Sequence, residues 1–516
     1  MKKIKLLLMI CFIVVLFFTS SAATFASTSV NIGSDVIVNK FNTIDVDPGI
    51  SVDPQGNLWF VYSDGSSIWH IFKGTTMDNL VEQYSFNAQN AVSNGFSKPN
   101  GDDRYWPSGL WIVPESGRFY TTVHVEFNYG SWRNQGYTGP IQHFRRIGVA
   151  YSDDHGRTWT YQGDIITSQH PTNPSSGAYP DDSYNYGVGD QKLFVDLAGG
   201  YYYVYYQTAW LSKNQDNRQS QIKVARSPLG SNMAPGSWKK YFNGSWNEPG
   251  IGGQDSVALP GNVNDSGVVV WNSYLNKYMA ITNGDGGGNI AIASDLNKQD
   301  WSSLGRFADR SRIQWYNFPV DSSNARDRMI VGKTFRLYSA QNNYDGIPTK
   351  YMDVTIESDD REQKFEQNAF YRIINQNSGK ALELLNGAGQ NIIQWDIGGD
   401  EKYYQQWKIQ ETGKGFYNII NRQSNRAMAV DGGYNNNFAN GKEVIQWEYG
   451  NWILDQQWTI MDIGSGRYRL INNNSQKSLG IAGSYPTNLN NAQHAIQWDS
   501  VPWAGDQQWR IEKVPN

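Results

Sequence analysis

The last third of the chain carries one pattern three times. FYRIINQNSGKALEL leads to IIQWDIGG and YYQQWKI, FYNIINRQSNRAMAV to VIQWEYGN and LDQQWTI, and RYRLINNNSQKSLGI to AIQWDSVP and GDQQWRI. The units close on Gln-x-Trp at Trp407, Trp458 and Trp509, 51 residues apart each time, and an inner tryptophan precedes each at Trp395, Trp447 and Trp498. Such a repeat constrains the fold strongly, because one unit of short strands cannot bury its apolar face alone. Three units can close into a single barrel with pseudo-threefold symmetry. Gln-x-Trp then sends one tryptophan of each unit into the shared core.

These motifs resemble the ricin-type β-trefoil, carbohydrate-binding module family 13, over about Phe370 to Val514, and the domain is set at 366–516. The resemblance implies sugar binding through an early acid, an aromatic platform and a polar residue just before Gln-x-Trp. Glu383 holds the early position in the first lobe. Ala429 and Gly480 stand there in the others, with Asp431 two residues beyond Ala429. The late position reads Tyr404, Asp455 and Asp506. The candidate sugar contacts are therefore Glu383, Asp431, Asp455 and Asp506, with the inner tryptophans Trp395, Trp447 and Trp498. The closing tryptophans are assigned to the core.

The N-terminus reads differently. MKKIKLLLMICFIVVLFFTSSAATFAS has a basic start, an apolar run too short for a bilayer span and a small-residue end. This is the pattern of a secretory signal peptide, residues 1–26, and it implies a secreted protein, with a bacterial source expected. Cys11, inside that segment, is the single cysteine of the chain, so the mature protein is expected to have no disulfide, thiolate zinc site or cysteine nucleophile. The net charge of −4 supplies no basic patch for nucleic acid or anionic membrane, and a monomer is expected. The aromatic content, 20 Trp, 31 Tyr and 21 Phe beside 51 Gly, suits strands joined by glycine turns and also suits sugars.

Residues 31–358 alternate short strand-like runs (LWFVYSD, RFYTTVHVEF, YYYVYYQTA, KYMAITN) with Gly, Asn, Asp and Ser turns. Ser152-x-Asp154-x-Gly156-x-Thr158-Trp159 resembles the Asp-box turn of sialidases and other propellers. In such a turn the aspartate and serine hold backbone amides and the tryptophan plugs the gap between strands. The expected fold is all-β: a five-bladed β-propeller followed by a β-trefoil. The blades are set near 40–95, 100–165, 185–245, 262–305 and 310–358, with six blades as the alternative.

Three carboxylates are candidate catalytic groups. Asp47, in IDVDPGISVDP, resembles the first-blade Asp-Pro aspartate of glycosidase families 43 and 32. Glu126 shares a strand face with Tyr120, Thr122 and His124. Asp190 enters the strand of YGVGDQKLFVDLAGG as an inward acid would in those families. Paired carboxylates suit glycoside hydrolysis, one protonating the leaving oxygen and the other activating water or attacking. The chain departs from family 43 where an aromatic-Ala-Pro and a Glu-Gly-Pro are usual, and Glu248 is a possible substitute acid. The sequence therefore supports a secreted glycoside hydrolase whose trefoil tethers it to a polysaccharide or glycan. A two-domain lectin without catalysis and a propeller polysaccharide lyase using His124 or a tyrosine are the alternatives. No cofactor is required; Ca²⁺ is possible, with Asp181 and Asp182 as the hint.

Overall fold

A computed structural model describes residues 28–41, 43–87, 96, 103–130, 144–170, 183–212, 218–259, 267–284, 286–313, 316–326, 328–340, 348–359, 361, 363–387, 390–434 and 436–515. The signal segment 1–26, Asp181 and Asp182 lie outside these residues.

Five antiparallel units follow one another. Blade 1 holds the strands Gly49–Val52, Leu58–Ser63, Ile68–Gly74 and Val81–Asn87. Blade 2 holds Arg104–Ile112, Phe119–Phe127, Phe144–Ser152 and Thr160–Ile166. Blade 3 runs from Ser183–Asp196 through Tyr201–Ser212 and Arg218–Pro228 to Lys239–Phe242 and Ser245–Pro249. A parallel bridge, Gly187 to Arg145, joins blades 2 and 3 into one nine-stranded sheet. Blade 4 holds Val268–Asn272, Lys277–Gly284, Gly287–Ala293 and Ser302–Asp309. Blade 5 holds Phe318–Asp321, Thr334–Ser339 and Lys350–Ser358, and Thr28–Ile32 pairs along Lys350–Ser358 as its outermost strand. The strand Thr28–Ile32 thus belongs to the propeller and closes its ring.

Packing confirms five blades. Five apolar clusters fill the five gaps between neighbouring blades: Phe60 with Phe318, Trp69 with Tyr105, Val149 with Val204, Phe194 with Trp271, and Met279 with Phe335. The fifth gap joins blade 5 to blade 1, so no room is left for a sixth.

The turn Ser152–Trp159 joins the two outer strands of blade 2. Gly156 N–H donates to Ser152 Oγ at 2.7 Å, Thr158 N–H to Asp154 Oδ1 at 2.8 Å, and the buried Trp159 indole to Gly156 O at 2.9 Å. Burial pushes the Asp154 carboxyl up, but hydrogen bonds from Thr158 and Ser152 more than offset it and hold the group below its usual range. Gly156 sits at φ +86°, a conformation that side chains resist.

Residues 370–513 form one twelve-stranded barrel whose core holds Trp407, Trp458 and Trp509 beside Phe365. The three lobes repeat the same bonds. Each indole donates to a carbonyl: Trp407 to Leu382, Trp458 to Met428, Trp509 to Leu479. Each motif glutamine clamps its own loop, Gln405 on Gly398 and Asp396, Gln456 on Gly450 and Glu448, Gln507 on Val501 and Asp499. The trefoil caps one end of the propeller. Arg326 lies over the Phe438 ring and donates to Gly56 O and Asn474 O, while Asn324 donates to Asn473.

The innermost strands all run toward that capped end. Asp45 precedes the blade 1 strand and Gly56 beyond it meets Phe438; Tyr316 precedes the blade 5 strand and Arg326 follows it. The starts of these strands therefore define a second mouth, opposite the trefoil.

Candidate active site

Four blades bring side chains to the uncapped mouth. Glu126 and His124 come from the second strand of blade 2, where alternation puts them on one face. His124 Nδ1 accepts the Asp190 backbone N–H at 3.0 Å. Its ring proton must then sit on Nε2, which donates to Glu126 Oε1 at 3.0 Å. A Cβ on Gly189 would come within 2.4 Å of His124 Cε1, so glycine is needed there to let the ring in. Trp106 packs edge-on against the same ring at 5.5 Å.

Asp190 stands at φ +47°, a strained setting for a non-glycine residue, and Arg145 Nη1 donates to its Oδ2 at 2.6 Å. Arg145 is itself buried and also donates to Gln207 at 3.1 Å. Opposite them, Asp45 is pushed up to about 8. Burial is the main cause, the negative charges of Glu126, Asp190 and Asp64 add to it, and a hydrogen bond with Tyr316 works against it. Asp64 is held below its usual range, because the His70 ring 3.6 Å away and hydrogen bonds from the Ser66 and Ile68 N–H groups outweigh its burial. His70 in turn lies 2.7 Å from Glu82 Oε1.

Glu126 and Asp190 are thus brought together with one another, but Asp47 is not part of the group. Asp47 is buried between Arg328, which donates to its Oδ2, and Lys192 at 3.8 Å, and it braces blade 1 against blades 3 and 5. Its neighbour Asp45 joins the other two carboxylates instead. Asp45 stands two residues before Asp47 in the same IDVDP stretch. Glu248 lies on the exposed outer edge of blade 3, bonded to the Gln254 N–H, far from the mouth in the blade order. Among the described residues, no group of three or more His, Cys, Asp or Glu is arranged to hold a metal ion.

In the trefoil the candidate contacts divide into two sets. Trp395, Trp447, Trp498 and Asp431 are exposed. Glu383, Asp455 and Asp506 are buried: Gln405 donates to Glu383 at 2.6 Å, Asn437 to Asp455 at 3.0 Å and Asn488 to Asp506 at 2.8 Å. Burial raises all three, Asp455 to about 6. The aromatic groups that reasoning from the repeat passed over are Tyr434 and Trp452 in the second lobe and Tyr485 and Trp503 in the third. All four are exposed, and the 51-residue spacing relates them.

Residues 348–447 and 454–516 match the family model described as ricin-type beta-trefoil lectin domain-like, so the C-terminal region is a ricin-type trefoil. No curated protein matches the chain. Among solved structures the chain is similar to an exo-beta-1,3-galactanase from Clostridium thermocellum, at 18% identity over 94% of this chain and 100% of that one, TM-score 0.37. It is also similar to a GH43 beta-1,3-galactosidase, at 11% identity over 93% and 94%, TM-score 0.36. The trefoil region is similar to ThreeFoil, a designed 3-fold symmetric protein, at 30% identity over 28% of this chain and 99% of that one, TM-score 0.25.

Proposed function

We propose that the protein is an exported glycoside hydrolase: the propeller mouth cuts a glycosidic bond and the trefoil holds the enzyme on carbohydrate. The observation that carries this reading is the gathering of three acids at one mouth: Glu126 and Asp190, joined through His124, and Asp45, whose carboxyl burial and those two groups push up to about 8. Gathering like charges at one mouth costs stability, and such clusters with divergent proton affinities mark acid–base sites. A lectin gives this cluster no task. A lyase needs a cation facing the substrate acid, whereas Arg145 is engaged by Asp190 and Gln207.

In this mechanism Asp45 is the general acid that protonates the leaving oxygen. Glu126, its oxygen fixed by His124 Nε2–H, acts on water or on the sugar carbon. Asp190, held in place by Arg145, supplies negative charge toward the developing oxocarbenium ion and adds to the upward push on Asp45. The trefoil supplies tethering, which raises the local concentration of the glycan without adding catalytic contacts.

The test is release of reducing ends from a panel of plant, microbial and host polysaccharides, repeated with Asp45→Asn, Glu126→Gln and Asp190→Asn. Cleavage by the wild type that collapses in these variants supports the hydrolase. Binding to a glycan with no cleavage of any leaves a lectin, and product absorbing as a 4,5-unsaturated uronide makes it a lyase.

A further inference from the structure

Among the described residues, two spaces lie where the domains meet. One, walled by residues such as Ile50, Trp271 and Met461, has a volume of about 90 Å³, well below the roughly 300–1,000 Å³ of ligand pockets. The other is a groove of about 370 Å³ open to solvent, within that range. One wall is the third trefoil lobe from Ser500 to Trp503. The other is the propeller, with Trp111 and Glu115 from blade 2 and Tyr202 and Asn232 from blade 3.

The trefoil wall is held rigidly. Arg469, fully buried, donates to the carbonyls of Val501 at 3.1 Å and Pro502 at 3.2 Å, and Gln508 donates to Pro502 at 2.9 Å. Burying a guanidinium is expensive. Here the cation pins the two residues that precede Trp503. That indole is nonetheless 58% exposed, whereas Trp509 of the same lobe is 0% exposed. Its counterpart in the second lobe, Trp452, is also exposed, at 68%, but has no propeller wall opposite it in this groove. The propeller wall offers an exposed carboxylate at Glu115 and an exposed amide at Asn232. An indole face suits the C–H face of a sugar ring, and a carboxylate and an amide suit its hydroxyls.

We propose that this groove is a composite glycan-binding site, in which Trp503 stacks on one sugar unit and Glu115 and Asn232 bind hydroxyls of the units beside it. The site rests on the trefoil's being a carbohydrate-binding domain and adds that the propeller supplies half of it. Because it lies at the capped end, it grips a stretch of glycan other than the one at the carboxylate mouth.

The experiment titrates the mature full chain with mono- and oligosaccharides of increasing length from a glycan that the wild type binds. The variants are Trp503→Ala, Trp452→Ala, and Glu115→Ala combined with Asn232→Gly, glycine being chosen because Asn232 has φ +48°. The expected result is about tenfold weaker oligosaccharide binding for Trp503→Ala, worth about 1.4 kcal/mol. The double propeller variant should lose about threefold or more on oligosaccharides and nothing on the monosaccharide. Loss with Trp503→Ala but none with the double variant at any length confines the site to the trefoil and overturns the proposal. So does an unchanged affinity in both, with Trp452→Ala alone weakening binding. A wild type that binds no glycan removes the carbohydrate reading of the trefoil itself, and the groove with it.

Discussion

The trefoil lobes and the propeller blades both repeat a small β-unit, yet they differ in what the copies share. The three lobes reproduce the same indole–carbonyl bond and the same glutamine clamp in every copy. The five blades share a strand order and little else. Blade 2 has the stapled turn at Ser152–Trp159, blade 3 carries a fifth strand, and blade 5 borrows its outer strand from the N-terminus. Bonds that only hold a fold together stay the same in every lobe. Copies that build an asymmetric cavity must diverge, because four of the blades each deliver a different group to the mouth: Asp45, Glu126, Asp190 and Tyr316.

The comparison breaks most sharply at the mouth. Asp45→Asn and Glu126→Gln should each cut hydrolysis about 10²–10⁴-fold, the usual range for a lost acid or base. Folding should be retained in both, as read by circular dichroism. Equal activity in Asp45→Asn and the wild type would return the acid's role to another group.

In the trefoil, equivalence itself is the prediction. Trp407→Ala, Trp458→Ala and Trp509→Ala each remove a fully buried indole from one shared core. Each should destabilise the domain by about 3–5 kcal/mol in denaturant titrations, and the three should agree closely. A lobe that tolerates the change would show that the pseudo-symmetry is geometric and not energetic.

Asp47→Asn should separate the two acids of IDVDP. It removes the partner of a buried Arg328 and should cost about 3–5 kcal/mol of stability. In the folded fraction the turnover per molecule should remain, unlike in Asp45→Asn.

Stability against pH reads the same cluster. Asp45 has a folded pKa near 8, above its unfolded value, so the native state binds the extra proton between about pH 4 and pH 8. Stability therefore falls as pH rises through that window, and Asp45→Asn should flatten the fall in a series of melts. The fall in kcat/KM at alkaline pH should set in near pH 8 for the same reason.

Much of this was legible in the residues. The trefoil was, because identical lobes leave identical words. The five blades were nearly so, since the strand-like runs fall where the sheets form, but the closing strand Thr28–Ile32 pairs with Lys350–Ser358 across most of the propeller and leaves no local mark. Glu126 was marked by His124 on the same strand face. Asp45 was not, because its character comes first from burial and then from Glu126, Asp190 and Asp64, all set by strands and turns remote from it in sequence. Glu383, Asp455 and Asp506 hold the positions that the trefoil pattern assigns to sugar contacts, yet the fold turns them inward onto Gln405, Asn437 and Asn488.

The smallest effect expected is at the turn that looks most conspicuous in the sequence. Asp154→Ala removes the acceptor of Thr158 N–H and of Thr158 Oγ1–H at 2.6 Å, and part of the support for Ser152. Each such bond is worth about 0.5–1.5 kcal/mol net, so the propeller should lose about 1–2 kcal/mol in a denaturant titration. The turn joins the outer strands of blade 2, whereas the carboxylates sit ahead of Gly49–Val52, within Ser183–Asp196 and on Phe119–Phe127. Hydrolysis by Asp154→Ala should therefore match the wild type at temperatures where both are folded. A drop in kcat at unchanged fold would mean that the outer hairpin positions the blade 2 strand bearing Glu126, and that blade 2 is one rigid lever from its rim to the mouth.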